Sequence, residues 1–283
     1  MSTASGLTLA EAGPLGTVML QRHLSARGIR VLAIKGPAFA QLGVRSAKSS
    51  NDFDLMIHPD DRPKATQALA EVGWRVVSYW FPPELDDIVY STTFRHQHFP
   101  TTMDLHHTFS GFLDAPGAFD ALWVERSTVT IAHQPVLTTS APHALVIEAL
   151  NHLKVTPQES WPVTAERILA DASPFAGDEI LAAARSVGAV WTVGAVLDQL
   201  GVDPPEGPVP ESAERWRAEA GADNTRRLIK HLVRRAPRHL PRVVWQQLTL
   251  SEEIARFWAS AQDVEYRSPR QILAVRVRRL LGK

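Results

Sequence analysis

Two aspartates, Asp52 and Asp54, stand one residue apart at the start of an apolar run typical of a β-strand. Residues i and i+2 of a strand point to the same side, so the two carboxylates should project together while Phe53 and Leu55 face into packing. Paired carboxylates repel each other unless a cation lies between them, so removing one should relieve repulsion in the metal-free protein. Mg²⁺ takes oxygen ligands of this kind and shares them with phosphates. The pair therefore predicts a metal–nucleotide site.

Three short motifs follow one another at spacings that one domain can accommodate, and they are Ile34-Lys35-Gly36, Asn51-Asp52-Phe53-Asp54-Leu55-Met56-Ile57 and Met103-Asp104-Leu105-His106. Through these motifs the chain resembles a family of uncharacterised bacterial nucleotidyltransferases in the polymerase-beta-like superfamily. The resemblance covers about residues 28 to 110 and continues more loosely beyond them. It implies metal-dependent transfer of a nucleoside monophosphate, with Asp52, Asp54 and Asp104 as the catalytic and metal-binding residues. It also implies Mg²⁺ or Mn²⁺ as the metal and an NTP, most simply ATP, as the substrate.

A third carboxylate is needed because two close metal ions can hold the attacking and the leaving oxygens of a phosphoryl group. Asp104 supplies it if its strand lies next to the strand of Asp52 and Asp54. Asp104 and His106 share one strand face, so His106 should lie at the rim of the same cleft and contact phosphate.

The segment Lys35-Gly36 falls at a turn from a strand into a helix, where glycine lets the backbone approach a phosphate. Lys35 and Gly36 are therefore candidate nucleotide contacts, and Ser50 and Asn51 form a polar approach to the acid pair. Lys48 stands about where the family often carries arginine, which keeps the charge and loses the bidentate geometry.

Ordinary structural roles compete with each of these assignments. Asp52 or Asp54 could be a turn or cap residue, and Asp104 a surface strand residue. Lys35 could form a structural ion pair, and His106 could be a buried imidazole with satisfied hydrogen bonds.

The composition restricts the class of protein. No run of eighteen apolar residues is present, which argues against a membrane span. Residues 1–6 lack the basic and apolar regions of a signal peptide, and the chain has no cysteine, so we expect a cytoplasmic protein. The net charge of zero is uneven: residues 222–283 hold 14 basic and 5 acidic side chains, against 16 and 25 elsewhere. Such a basic region could attract nucleic acid, or it could form solvated helix faces.

Apolar periodicity and turn residues predict an α/β (α+β) domain at residues 1–135, followed by an all-helical domain at residues 136–283. The resemblance implies that the first is a nucleotidyltransferase domain with a mixed sheet, and a site between the two domains would make the second complete the substrate cleft. The predicted helices of the first part are Pro14–Arg27, Gly36–Leu42 and Pro59–Val72. The predicted strands are Ile29–Ile34, Asp52–His58, Trp74–Trp80, a hairpin of Ile88–Phe99 and Thr101–Phe109, and Thr128–Ile131.

Several functions fit these patterns. The first is transfer of a nucleoside monophosphate, most simply AMP, to a small-molecule or peptide acceptor. The second is a toxin-like nucleotidyltransferase that modifies tRNA, and its support is the basic C-terminal region. The third is a non-catalytic nucleotide-binding module. A hydrolase or a metal enzyme built on His96, His98 and His106 is a weaker fourth.

Overall fold

The computed structural model describes residues 6–48, 50–203, 206–249, 252–261 and 264–280. The sequence also predicts a loop between helices at Pro204 and Pro205, and this prediction, like those for residues 1–5, lies outside the described ranges. Within the described ranges, no helix combines the length and the apolar character that crossing a bilayer requires.

One mixed sheet of seven strands organises the described N-terminal part, in the order β3-β4-β5-β2-β1-β7-β6. Strand β2 is parallel to β5, and β1 is parallel to β7, while the other neighbours are antiparallel. The strands are β1 Val31–Ile34, β2 Asp52–Ile57, β3 Arg75–Val76, β4 Ser91–Arg95, β5 Thr102–His106, β6 Ser127–Ile131 and β7 Gln134–Thr138. The mixed sheet confirms the predicted fold class.

Helices pack on the sheet and make up the described part of the chain after it. The α-helices are α1 Leu9–Ser25, α2 Gly36–Gln41, α3 Arg62–Glu71, α4 Ala118–Val124, α5 Ala141–Leu153, α6 Trp161–Asp171, α7 Gly177–Ser186, α8 Gly194–Gln199, α9 Glu211–Ala218, α10 Asn224–Arg235, α11 Leu240–Leu248, α12 Glu252–Ala261 and α13 Pro269–Leu280.

Strand β2 separates an apolar face from a polar face, as its alternation predicts. On the apolar face, the Phe53 ring packs edge-on against Trp74 and lies 6.5 Å from the Phe99 ring. Helix α1 approaches this face closely at Gly16, where a Cβ atom would lie 2.6 Å from the Phe53 ring. The apolar side chains thus anchor β2 and leave its acidic side chains on the other face.

Helix α1 begins at Leu9, five residues before the predicted start at Pro14. The Glu11 carboxylate accepts hydrogen bonds from the backbone N–H and the hydroxyl of Thr8, at 2.9 and 2.7 Å. This contact stabilises a first turn that lies before the proline. Pro14 therefore lies inside the helix.

The strand predicted at Trp74–Trp80 is wrong over most of its length, since β3 comprises Arg75–Val76. Its apolar residues serve other contacts: Trp74 is buried against Phe53, and Trp80 packs on a small cluster formed with α10 and α11. Tertiary packing, rather than strand pairing, explains the apolar run.

The hairpin prediction is confirmed with shorter strands: β4 and β5 are antiparallel, with Thr93 opposite Asp104. The hairpin of β6 and β7 escaped prediction in part, because its turn residues Ala132 and His133 both have positive φ. Turns of this type favour Asn-Gly or Asp-Gly, so the sequence carried no turn signal there.

The sheet and the first helices after it share one hydrophobic core. Strand β7 ends at Thr138 and α5 begins at Ala141, and buried residues of α5 to α8 belong to the same cluster as the sheet. Two smaller clusters hold the described parts of α10 to α13. The division into two domains near residue 135 stays a prediction.

Candidate active site

The polar face of β2 and β5 brings two of the predicted carboxylates side by side. The parallel register pairs Asp54 with Asp104, and Asp52 lies two residues before Asp54 on the same face. Asp54 is buried and Asp52 is half-buried. The packing of the opposite, apolar face therefore positions this acidic row.

Lys35 reaches the acidic row from the turn between β1 and α2. Its Nζ lies 2.5 Å from the Asp54 Oδ1 atom. Its backbone has φ 58° and ψ −158°, a combination that is normally confined to glycine. Such a conformation costs about 1–3 kcal/mol and persists where the surroundings determine it. The next residue, Gly36, also has positive φ and opens α2.

His106 is buried behind Asp54, and its Nε2 atom lies 2.8 Å from the Asp54 Oδ1 atom. Its ring lies 5.8 Å from the Tyr90 ring and 5.5 Å from the Phe109 ring, and those two rings lie 6.0 Å from each other, so the three form one aromatic cluster. Burial, together with the Lys35 charge, lowers the pKa of His106 even though the neighbouring carboxylate opposes this effect. The imidazole is therefore neutral and donates from Nε2, while its Nδ1 atom has no protein partner.

The two paired carboxylates have opposite pKa shifts. Burial raises the pKa of Asp54, but the Lys35 ammonium and the His106 hydrogen bond outweigh it and lower the pKa to about 2. Burial and the nearby Asp54 charge raise the pKa of Asp104, although the Thr93 hydroxyl donates to its Oδ1 atom at 2.7 Å. Lys35 and His106 therefore stabilise the negative charge of Asp54 much more than the negative charge of Asp104.

A divalent cation fits this charge distribution. Burial lowers the pKa of Lys35, but the neighbouring carboxylates outweigh burial and raise it, so Lys35 is an ammonium. Because His106 is neutral, this ammonium is the positive charge that faces the three carboxylates. The formal excess of about two negative charges is the charge that one Mg²⁺ or Mn²⁺ would neutralise. Ligand atoms of Asp54, Asp104 and His106 lie within 4.8 Å of one another. The donor chemistry of the acidic row therefore suits a divalent metal.

A second layer links the acidic row to α5. Lys154 donates from Nζ to the Tyr90 hydroxyl at 2.9 Å and lies 5.3 Å from the centre of the Phe109 ring. No sequence motif points to Tyr90 or Phe109, because their role depends on which rings meet across separate segments. Thr93 was equally hidden until the register of β4 placed it opposite Asp104.

The remaining predicted contacts lie before β2. Ser50 is exposed, and its hydroxyl donates to the Asp52 carboxylate. Asn51 is exposed, and its carbonyl accepts from the Thr102 N–H at 3.1 Å, so its backbone joins β5 to this segment. Lys48 is exposed and lines a cavity together with Asp52.

Two histidines considered for a metal cluster are not brought to His106. The His96 ring lies against Trp74, 5.6 Å away, and its Nδ1 atom accepts from the His98 N–H at 3.3 Å. In the described part of the chain, the group with metal-ligand geometry consists of Asp54, Asp104 and His106. The histidine-metal alternative therefore lacks its cluster.

Several basic side chains of the C-terminal region contact the segment before β4. Arg235 donates both hydrogen bonds of a bidentate pair from Nη1 to Asp87, at 2.8 and 2.9 Å. The Arg238 Nη2 atom lies 2.5 Å from Glu84. The Arg242 guanidinium lies 3.7 Å above the Trp80 ring. These cations attach α10 and α11 to an acidic segment of the same chain.

Residues 16–198 match the family described as uncharacterised nucleotidyltransferase, which is more than half of the chain. No curated protein matches the chain. Solved structures with related folds include ANT(2'')-Ia in complex with adenylyl-2''-tobramycin, 15% identical with a TM-score of 0.40, covering 66% of this chain and 96% of the other. They also include the lincomycin-bound lincosamide antibiotic adenylyltransferase LnuA, 15% identical with a TM-score of 0.33, covering 47% and 82%.

A third similar structure is the antigenic nucleotidyltransferase-like protein from Paracoccidioides brasiliensis, 16% identical with a TM-score of 0.32, covering 85% of this chain and 93% of the other. At these levels of similarity the solved structures carry no information about the substrate of this chain. The family match runs from within α1 to within α8 and includes the whole acidic row. The chain therefore belongs to this family of nucleotidyltransferase enzymes, as its three motifs predicted.

Proposed function

We propose that this protein transfers a nucleoside monophosphate, most simply AMP from ATP, to an oxygen of a small-molecule or peptide acceptor. Asp52, Asp54 and Asp104 would hold Mg²⁺ or Mn²⁺, which neutralises charge on the phosphate oxygens. The observation that carries the proposal is the in-register pair of Asp54 and Asp104, with Lys35 at 2.5 Å from the same site. A carboxylate cluster with more charge than its protein partners neutralise suits a cation and the phosphates that it binds.

The side chains divide the chemistry among them. The Lys35 ammonium is placed to contact phosphate oxygens, and His106 orients Asp54 through its hydrogen bond. The acceptor oxygen forms a bond to the α-phosphorus while the bond to the β-phosphate oxygen breaks and pyrophosphate leaves. We assign the acceptor proton to the Asp104 Oδ2 atom, since Oδ1 already accepts from Thr93.

A small acceptor fits the contacts better than tRNA does. Arg235, Arg238 and Arg242 contact Asp87, Glu84 and Trp80, respectively. Phosphates would have to compete with these contacts within the chain. The carboxylates of the acidic row argue against a non-catalytic module, because a buried acidic pair without a cation is costly. The expected location is the cytoplasm, where nucleoside triphosphates are available.

The test is a screen of the four nucleoside triphosphates with Mg²⁺ or Mn²⁺, measuring pyrophosphate release and label transfer into a cell extract. Asp104→Asn should lower transfer at least ~100-fold, as loss of a group that stabilises the transition state does. The matched control is Asp120→Asn, a surface aspartate on α4 that pairs with Arg30. Transfer by Asp104→Asn at the rate of the control would refute the assignment.

A further inference from the structure

A cavity of about 300 Å³ opens beside the acidic row, between the start of α1, the start of α2 and the segment before β2. This volume is at the lower end of the range for small-molecule sites, ~300–1,000 Å³. Its polar lining residues are Lys48, Ser50 and Asp52, and the others are glycine, alanine, leucine, proline and phenylalanine.

Burial orders the lining residues by depth. Gly13 and Phe53 are buried and form the floor, while the exposed rim consists of Leu9, Ala10 and Ala47 on one hand and of Lys48 and Ser50 on the other. Asp52 is half-buried between them. The cavity is therefore apolar at its base and polar at the end that meets the acidic row.

Gly13 keeps the base of this cavity open. It is buried inside α1, yet a Cβ atom built on it would meet nothing within 4 Å. Gly16, one turn later, differs because its Cβ would lie 2.6 Å from the Phe53 ring. Packing thus requires glycine at position 16 and not at position 13, although glycine weakens a helix relative to alanine. The space at Gly13 is available to a ligand.

We propose that this cavity binds an apolar group of the acceptor and directs the acceptor's nucleophilic oxygen toward the acidic row. The inference rests on the proposed function and adds a substrate class, namely alcohols that carry an apolar substituent close to the reacting hydroxyl. Burial of that substituent drives binding, and the polar part of the rim accommodates the hydroxyl.

A nucleobase fits the base of the cavity poorly. Pro14 and Pro37 have no N–H group, and Gly13 and Phe53 offer no polar side-chain atom. The Gly13 carbonyl already accepts from the Thr17 hydroxyl at 2.9 Å. The ring nitrogens and the amino group of a purine would be buried there without partners, which is unfavourable. An apolar substituent carries no such cost.

Two alcohols that differ in one group test the proposal, N-acetyl-phenylalaninol and N-acetyl-alaninol. Their binding is measured from backbone amide NMR shifts of the full chain with Mg²⁺ and a non-hydrolysable ATP analogue. The phenyl compound should bind at least ~tenfold more tightly, because its ring loses contact with water, and it should shift the Gly13 amide. Gly13→Leu should remove this preference by filling the cavity. Gly117→Leu is the matched control, since a Cβ there also meets nothing and its φ is −89°.

Equal binding of the two alcohols, or a preference that survives in Gly13→Leu, would overturn the proposal. A tenfold loss of nucleotide affinity in Gly13→Leu with the phenyl preference intact would also overturn it, by assigning the cavity to the nucleotide. Gly13→Ala adds a single methyl group and should keep most of the preference, so the test holds if the leucine variant fails to fold. If nucleotide binding by the wild-type protein is absent or does not depend on Asp54, the proposed function itself is refuted, independently of the binding of the two alcohols.

Discussion

Oppositely charged side chains meet in two regions of this molecule, the acidic row of β2 and β5 and the contact of α10 with the segment before β4. Lys35 and Asp54 form the first pair, with side chains 14% and 7% exposed. Arg235 and Asp87 form the second, with side chains 35% and 60% exposed. Coulomb attraction is strong in a buried site and largely screened in water. The two pairs therefore have different roles: the buried pair sets the charge distribution of a site, and the exposed pair attaches a helix weakly.

Charge balance separates the two regions further. Arg235 meets Asp87 alone in its described ion pair, so the charges there are matched one to one. In the acidic row, Asp52 and Asp104 add two carboxylates to the pair of Lys35 and Asp54, and the excess remains. Such an excess of negative charge is unfavourable unless a cation, together with the phosphates that it binds, occupies the site.

The largest expected effect on stability follows from removing Lys35. Lys35→Ala should lower the free energy of unfolding by ~3 kcal/mol, because Asp54 stays buried without its ammonium partner while His106 still donates to it. Lys35→Gly should lose ~1–2 kcal/mol less, since glycine adopts φ 58°, ψ −158° without strain. Urea denaturation without metal measures both. Equal losses would show that the backbone at Lys35 stores no strain.

Asp54→Asn should lower the free energy of unfolding at pH 7 by about 2 kcal/mol. The low pKa of Asp54 means that its charged form is favoured in the folded protein, so removing this carboxylate does not relieve repulsion. The sequence-based expectation that removing one carboxylate relieves repulsion stays a prediction, and the low pKa of Asp54 favours the opposite outcome at this position. Chemical denaturation at pH 7 checks this, with Asp120→Asn as the control. A higher midpoint for Asp54→Asn would support repulsion instead.

The pH dependence of stability should differ between the two paired carboxylates. The folded pKa of Asp54, about 2, is below its ordinary value of 3.8, so its contribution is present above pH ~4 and is lost as the pH falls toward 2. The raised pKa of Asp104 has the opposite sign, since protonation of this group favours the folded state. Asp104→Asn should therefore be more stable than wild type at pH 7 without metal, and the difference should shrink as the pH falls through the folded pKa.

Thermal unfolding of wild type and Asp104→Asn between pH 3 and 7 measures that difference. Added Mg²⁺ should reverse the order at pH 7, because a bound cation stabilises the carboxylate form. If Asp104→Asn were less stable than wild type across the whole range, Asp104 would be a structural residue instead of part of a metal site.

The smallest expected effect belongs to the exposed pair. Arg235→Ala should change the free energy of unfolding by at most ~1 kcal/mol, and the change should diminish in 0.5–1 M salt. Nucleotide transfer to a small acceptor should be unaffected, because Arg235 contacts Asp87 rather than the acidic row. The RNA-modifying alternative would instead be favoured if the purified protein bound tRNA, if the affinity fell steeply with salt concentration, and if Arg235→Ala weakened the binding.

Much of the site could be predicted because strand alternation is a local property. The spacing of Asp52 and Asp54 sets their common face, and the motif with Asp104 and His106 follows the same rule on β5. Local alternation predicted the wrong structure where long-range packing contacts determine the position of the apolar side chains. The apolar run from Trp74 to Trp80 packs on two separate clusters rather than forming one strand.

The sequence by itself determined the acidic motifs, which depend on residue type and strand alternation, and through the resemblance of those motifs it indicated the family and its mixed sheet. Tertiary structure alone decided which cation meets Asp54, and it brought the rings of Tyr90 and Phe109 against His106. It also decided that Asp54 and Asp104 have opposite pKa shifts although both are aspartates on neighbouring strands. Burial and the positions of distant charges set a pKa, and neither is a property of the local sequence.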